Sequence, residues 1–208
     1  MLSRLGLLFK KLVAYFKVPN FGCKQCGECC SRYTICVTHR DVYRIFKNYG
    51  FDPHEFLDYT VPDESVEESF KGIPRFIGED GRRWILCLKE NEEGSCYFND
   101  SGPCSIYAFR PLVCRAFPFL WQRMKYGYRF VLNREALEFC RGLWAVKNRF
   151  DFAAVSRDMI QSEKEDKEYA ELVEEWNQLV ERKEIKSPSL KEFINFFMKK
   201  LLDEENEF

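Results

Sequence analysis

The chain has 208 residues, enough to bury a core in one domain with an appendage. Hydrophobic residues make up 46% and charged residues 31%, ordinary values for a globular protein, and its ten cysteines stay below the roughly 8–10% that marks a short disulfide scaffold. The net charge of −1 hides an asymmetry: residues 1–150 carry 23 Lys+Arg against 17 Asp+Glu, whereas residues 151–208 carry 9 against 16. The two parts are expected to pack on each other; the alternative is that the basic part offsets an anionic metal–thiolate centre or receives an anionic ligand.

Residues 2–16 alternate Leu and Phe with Arg and Lys at helical spacing. This predicts a short amphipathic helix within 1–19, docked on the domain's own core or in weak contact with a membrane surface. Lys10 and Lys11 interrupt any signal-peptide core, and no small-residue cleavage site follows. No stretch approaches the ~18 apolar residues of a membrane span. The cytoplasm is the expected compartment, where clustered cysteines read as metal or redox sites rather than disulfides, intracellular hyperthermophile proteins being the exception.

Residues 21–36 hold a cysteine-rich irregular loop, with Gly22 and Gly27 allowing tight turns. Thr38 can cap a helix that runs to Tyr49, with Val42, Ile45 and Phe46 on one face and Gly50 as its stop. A second short helix is expected from Pro53 to about Tyr59. Residues 73–77 and 83–87 flank the turn-rich 78–81 and predict a β-hairpin. Residues 88–104 read as loop. Residues 119–124 and 128–132 predict a second hairpin turning at Tyr126-Gly127. A long helix from Phe150 to about Lys183 carries the stripe Tyr169, Leu172, Val173, Trp176, Leu179 and Val180. Ser187-Pro188 breaks it, and Ser189-Leu-Lys-Glu192 is a capping-box signature for a last helix with Leu190, Phe193, Ile194, Phe197, Met198 and Leu201 inward. The predicted fold is α+β, mainly α. An N-terminal amphipathic helix (1–19) precedes a cysteine-rich metal-binding core with one or two short β-hairpins (20–148), and a C-terminal helical hairpin (149–208) covers it.

Four of the ten cysteines fall within eight residues, Cys23-Lys-Gln-Cys26-Gly-Glu-Cys29-Cys30. The rest of the set is threaded farther on, at Cys96, Cys104, Cys114 and Cys140. Cys-x2-Cys spacing brings two thiolates to one side of a turn, which suits zinc and iron–sulfur clusters alike. The run opens like a bacterial ferredoxin motif, but Tyr33 stands where the next ligand would fall, so that reading fails. A zinc finger would need a second tight pair, and the later cysteines are widely spaced. Any metal site must therefore close through long-range folding. Neighbouring side chains tend to diverge, so Cys29 and Cys30 are expected to serve two metals, or one metal and one redox or substrate-contacting role.

These segments, with Cys96-Tyr-Phe, Cys104-Ser-Ile-Tyr107 and Arg110-Pro111-Leu-Val-Cys114-Arg115-Ala-Phe117-Pro118, resemble the YkgJ-type CxxCxxCC family. The resemblance covers roughly residues 20–142 and implies a zinc- or iron-chelating domain. The same domain occurs in flagellin lysine N-methylases, where an iron–sulfur cluster is implicated in methyl transfer. The resemblance carries metal binding to Cys23, Cys26, Cys29, Cys30, Cys96, Cys104 and Cys114, with Cys140 as last member. Cys87 is a weaker candidate, and Cys36 has no counterpart. An iron–sulfur cluster, of the 4Fe–4S type, or zinc is the implied cofactor.

A buried metal–thiolate centre needs charge compensation, for which Arg110 and Arg115 are candidates that could also lower thiol pKa values; pairing with surface acids is the alternative. Tyr107, Phe117 and Phe119 can shield sulfurs from water. His39 and His54 read as capping or surface residues rather than ligands. Asp41 and Asp80 lack carboxylate partners, and the four tryptophans, Trp84, Trp121, Trp144 and Trp176, read as core or interface. The basic-aromatic stretch 123–129 reads as a solvated hairpin, so no nucleic acid partner is expected, whereas a protein partner stays open. Three function classes survive: a metal-binding accessory module, an iron–sulfur methyltransferase or redox enzyme, and a redox or metal sensor. Catalytic residues are not assigned.

Overall fold

The computed structural model describes residues 20–100, 103–123, 128–143 and 151–206. The expected helix at 2–16, residues 124–127 at the tip of the second hairpin and in the middle of its basic stretch, and Trp144 lie outside them. Helix outweighs strand, and the strands form small antiparallel sheets.

Helix α1 (His39–Tyr49) starts where the sequence places it. Thr38 and Asp41 form a reciprocal capping box, and Gly50 ends the helix by donating its N–H to Phe46 O at 2.9 Å. Val42 and Ile45 are fully buried. The next helix, α2, spans only Pro53–Phe56. The chain from Leu57 to Thr60 is strand β1, not the helical extension expected to Tyr59. Strand β3 (Arg83–Leu88) overrides local propensity here. It is buried from Trp84 to Leu88 and pairs with β1 on one edge, in the register Leu57↔Leu88 to Thr60↔Ile85, and with the two-residue strand β2 (Phe76–Ile77) on the other. Tyr59 stacks on Trp84 with ring centroids 3.6 Å apart.

Beyond β3 come a 3-10 turn (Tyr107–Phe109), the short helix α3 (Leu112–Ala116), and the expected second hairpin, β4 (Phe119–Arg123) with β5 (Tyr128–Leu132). Helix α4 (Ala136–Phe139) follows, and the chain ends in the long α5 (Phe152–Glu181) and α6 (Leu190–Asn206). Ser189 Oγ accepts the N–H of Glu192 at 3.3 Å, one half of the expected capping box.

The last two helices do more than cover. Tyr169, Leu172, Val173 and Trp176 from α5, and Phe193, Ile194, Phe197 and Leu201 from α6, share one core with Val42, Ile45, Phe56, Phe76, Trp84 and Leu86. The Phe193 ring stacks on Phe76 at 4.0 Å. Helix α5 also closes the edge of β2: Asn177 Oδ1 accepts the Ile77 N–H at 2.7 Å, Asn177 Nδ2 donates to Arg75 O at 3.0 Å, and Trp176 Nε1 donates to Ile77 O at 3.0 Å. The charge asymmetry is discharged across the same interface by Arg40–Glu168, Arg44–Glu165, Lys47–Glu205 and Arg115–Asp158. No helix among the described residues is long and apolar enough to cross a membrane.

Candidate metal centre

Cys23, Cys26, Cys29, Cys30, Cys96, Cys104, Cys114 and Cys140 line one cavity of about 70 Å³. They come from separate stretches of chain that backbone hydrogen bonds sew together. Gly22 N–H donates to Gly142 O at 3.2 Å, next to a bridge between Phe21 and Leu143, which draws the start of the cysteine loop to Cys140. Gly142 permits this approach, because a Cβ there would lie 2.5 Å from Gly22 O. An ion pair between Arg141 and Glu28 at 3.0 Å closes the same seam.

Cys96 N–H donates to Cys30 O at 3.0 Å and fixes the second wall. Asn99 then packs on Gly27, where φ is +77° and a Cβ would stand 2.6 Å from Asn99 Nδ2. The backbone angle favours glycine between Cys26 and Cys29, and a side chain there would have to displace the Asn99 amide. Cys114 lies in α3, whose Leu112 N–H donates to Asp41 Oδ1 at 3.0 Å, so the capping carboxylate of α1 also positions the helix that carries Cys114. Asp41 holds the Thr38 cap, the N-terminus of α3 and the Arg44 guanidinium together.

The rest of the wall is largely apolar, including Phe21, Ile35, Leu88, Phe98, Ile106 and Phe117. Tyr107 and Phe117 line the cavity with the cysteines, whereas Phe119 packs on Met159 in a separate cluster. Cys23 and Cys26 are exposed. Cys26 also borders a more open, polar hollow of about 490 Å³ that includes Glu28, Ser31, Glu93, Ser95 and Asn99, which gives the cavity a route to solvent.

Five of the cavity thiols, Cys29, Cys96, Cys104, Cys114 and Cys140, are held protonated. Cys114 is pushed well up by burial, and burial pushes Cys96 up to about 11 and raises Cys104 and Cys140. Cys29 is raised first by its contact with Cys30 and then by burial. A neutral set of thiols is what a low-dielectric cavity tolerates; a bound cation would displace the protons. Burial outweighs whatever the two arginines beside Cys114 contribute, and its thiol stays well above the ordinary value. Arg115 turns away to make a two-point ion pair with Asp158 of α5, at 3.1 and 2.7 Å. Arg110 does line the cavity, lies over the Tyr107 ring at 4.0 Å, donates to Tyr107 O at 2.7 Å and favours the Cys104 thiolate, while its buried Nε has no partner.

The sulfurs of Cys29 and Cys30 are 4.0 Å apart and border the same cavity, so the adjacent pair does not diverge as expected. Among the described residues no three histidine, cysteine or carboxylate side chains form a ready-made ligand set. The thiols ring the space without converging on one point. Cys36 and Cys87 do not line it. Neither histidine does: His39 is buried against Tyr169, and His54 hydrogen-bonds Asn195 at 3.1 Å. Sequence reasoning missed Asn99 and the Glu28–Arg141 tie, although both arginine and glutamate stand next to cysteines of the set.

The model of the CxxCxxCC family, described as "Putative zinc- or iron-chelating domain", matches residues 22–141, and the chain belongs to this family. It is 31% identical over 147 residues to "Uncharacterized protein MJ0661" of Methanocaldococcus jannaschii, a match covering 68% of this chain and 70% of that protein. It is 33% identical over 109 residues to "Uncharacterized protein MJ0939" of the same organism, covering 50% of this chain and 31% of that one. No solved structure matches the chain.

Proposed function

We propose that this is a metal protein whose cysteine-lined cavity holds a thiolate-ligated iron–sulfur cluster. Cys23, Cys26, Cys29, Cys30, Cys96, Cys104, Cys114 and Cys140 form the pool from which its ligands are drawn. The observation that carries this reading is the collection of eight thiols, from the 23–30 cluster and four later positions, around one largely apolar cavity. The donor set fits the group: soft thiolates in a largely apolar pocket suit iron–sulfur ligation. The unpartnered Nε of Arg110 supplies a donor and a positive charge for an anionic centre. A bound cluster would supply electron transfer or Lewis acidity, and the surplus of thiols over four ligands leaves a cysteine for a redox or substrate-contacting role. The ten unpaired thiols suit a reducing compartment such as the cytoplasm.

Zinc is the second reading, and the Cys29–Cys30 separation favours it. Two thiolates on one tetrahedral ion at Zn–S distances of about 2.3 Å stand ~3.8 Å apart, close to the 4.0 Å observed. Anaerobic purification with metal and sulfide analysis separates the two. Brown protein containing iron and acid-labile sulfide supports the cluster; colourless protein with stoichiometric zinc and no sulfide replaces it with the structural ion. Protein that holds neither metal after reconstitution refutes both.

A further inference from the structure

Behind the cavity wall two further cysteines face each other. Cys36, just before α1, and Cys87, on β3, form an antiparallel bridge. The flanking bonds run from Val37 N–H to Leu86 O at 3.2 Å and from Leu88 N–H to Ile35 O at 2.9 Å. This pattern makes Cys36–Cys87 a non-hydrogen-bonded pair, the cross-strand position with the closest Cα atoms, ~4.5 Å, and both side chains on one face. That separation falls within the ~4.4–6.8 Å that a disulfide spans. Ile35 and Leu88 line the metal cavity; strand alternation turns their neighbours Cys36 and Cys87 to the opposite side. The pair therefore stands back to back with the candidate metal centre and shares its backbone, while both thiols are free.

We propose that Cys36 and Cys87 are a second thiol site, which a small-molecule disulfide of the glutathione type converts into a cross-strand disulfide. Cys36 is the more accessible of the two; Cys87 is 4% exposed. The Cys36 thiolate attacks one sulfur of the oxidant, breaking its S–S bond and releasing one thiol. Cys87 then attacks the Cys36 sulfur of the mixed disulfide and releases the second. The two protons of the protein thiols end on the two released thiols, and the oxidant accepts the two electrons. Burial holds Cys36 up to about 11 and Cys87 higher, so exchange is slow and the closed bond is shielded. Tyr169, buried with an unpartnered hydroxyl whose acidity these two thiols suppress further, adds no competing charge. The bond would fasten the segment behind the Cys23–Cys30 loop to β3 and so hold the Ile35/Leu88 wall whether or not metal is bound.

The test uses the full chain, equilibrated anaerobically across mixtures of reduced and oxidised glutathione, alkylated, digested without reduction and mapped by mass spectrometry. The expected result is one peptide pair joined through Cys36 and Cys87, lighter by two hydrogens than the reduced peptides. A rise in Tm of roughly 5–15 °C accompanies it. Cys36→Ser abolishes the joined peptide and the Tm rise while keeping the full metal content of the wild type. Cys87→Ser should repeat this; if burial prevents it from folding, the wild-type map and Cys36→Ser decide the matter alone. Both cysteines alkylated at every oxidant ratio, Cys36 joined to a cysteine of the cavity, or loss of metal from Cys36→Ser would each overturn the proposal.

Discussion

Gly27 is held at φ +77° with Asn99 against it. Gly27→Ala therefore meets backbone strain and a collision together, and should lower stability by about 1–3 kcal/mol. It should also reduce the metal retained after purification, because Cys26 and Cys29 are displaced. Adding Asn99→Ala should restore part of the loss, since it removes the collision and leaves the strain. Denaturant titration of the single and double variants measures the coupling; simple additivity would contradict the packing described. His39 offers a second test. Burial, assisted by Arg40 and Arg44 and opposed by Glu168, lowers its pKa to about 4. The folded state thus refuses a proton that the unfolded state accepts below about pH 6.5, and stability falls as pH drops from there toward 4. The whole loss is on the order of 3 kcal/mol. His39→Gln should flatten the fall in Tm between pH 7 and pH 5, and an unchanged slope would assign the acid sensitivity to other groups.

Helix α1 illustrates how one local device serves a distant site. Its capping carboxylate, Asp41, is 4% exposed and satisfies the Thr38 cap, the Leu112 N–H and Arg44, which in turn bonds buried Glu165 at 2.6 Å. Asp41→Ala leaves several buried donors without acceptors, and should cost about 3–5 kcal/mol, at the level of breaking a buried pair rather than a surface one. Because α3 loses its anchor, Cys114 should become accessible to alkylation at lower denaturant than in the wild type. Helix α5 does comparable work on the sheet. Asn177→Ala removes both bonds to the β2 edge and should destabilise by about 1–3 kcal/mol without altering metal content, since no cavity residue is touched.

On the scale of the molecule, the α5–α6 pair supplies much of the main core, and the candidate metal centre lies beside that core, with Cys96 and Cys104 contributing to both. Metal and fold should therefore be linked. Stripping the bound metal with a chelator should lower Tm and restore it on reconstitution, because ligation requires thiolates that the folded cavity alone has arranged. The raised thiol pKa values set the direction with pH. Below them any of Cys29, Cys96, Cys104, Cys114 and Cys140 that serves as a ligand must release a proton to bind, so affinity should strengthen with rising pH, by up to about tenfold per unit for each proton released. Competition with a metal-binding dye at several pH values measures this. Affinity that does not change with pH would mean that protonated thiols are not the ligands.

Much of this architecture is legible in the sequence because it is local. The Thr38 cap, Gly50 stop, both hairpins and the stripes of α5 and α6 follow from short-range spacing and turn chemistry, and the cysteine pattern marked the family. What the fold decided is long-range. Strand β1 exists because β3 needs a partner on its edge, not because Leu57-Asp-Tyr-Thr60 demands extension. Arg115 left the site because Asp158 lies across an interface that spacing does not show, while Arg110 stayed. The sequence by itself determined which residue types would gather, since thiols at Cys-x2-Cys spacing carry their chemistry with them. Only the tertiary structure decided that eight of them border one cavity while Cys36 and Cys87 turn to its far side, because alternation along a paired strand, not distance along the chain, sets which face a side chain meets.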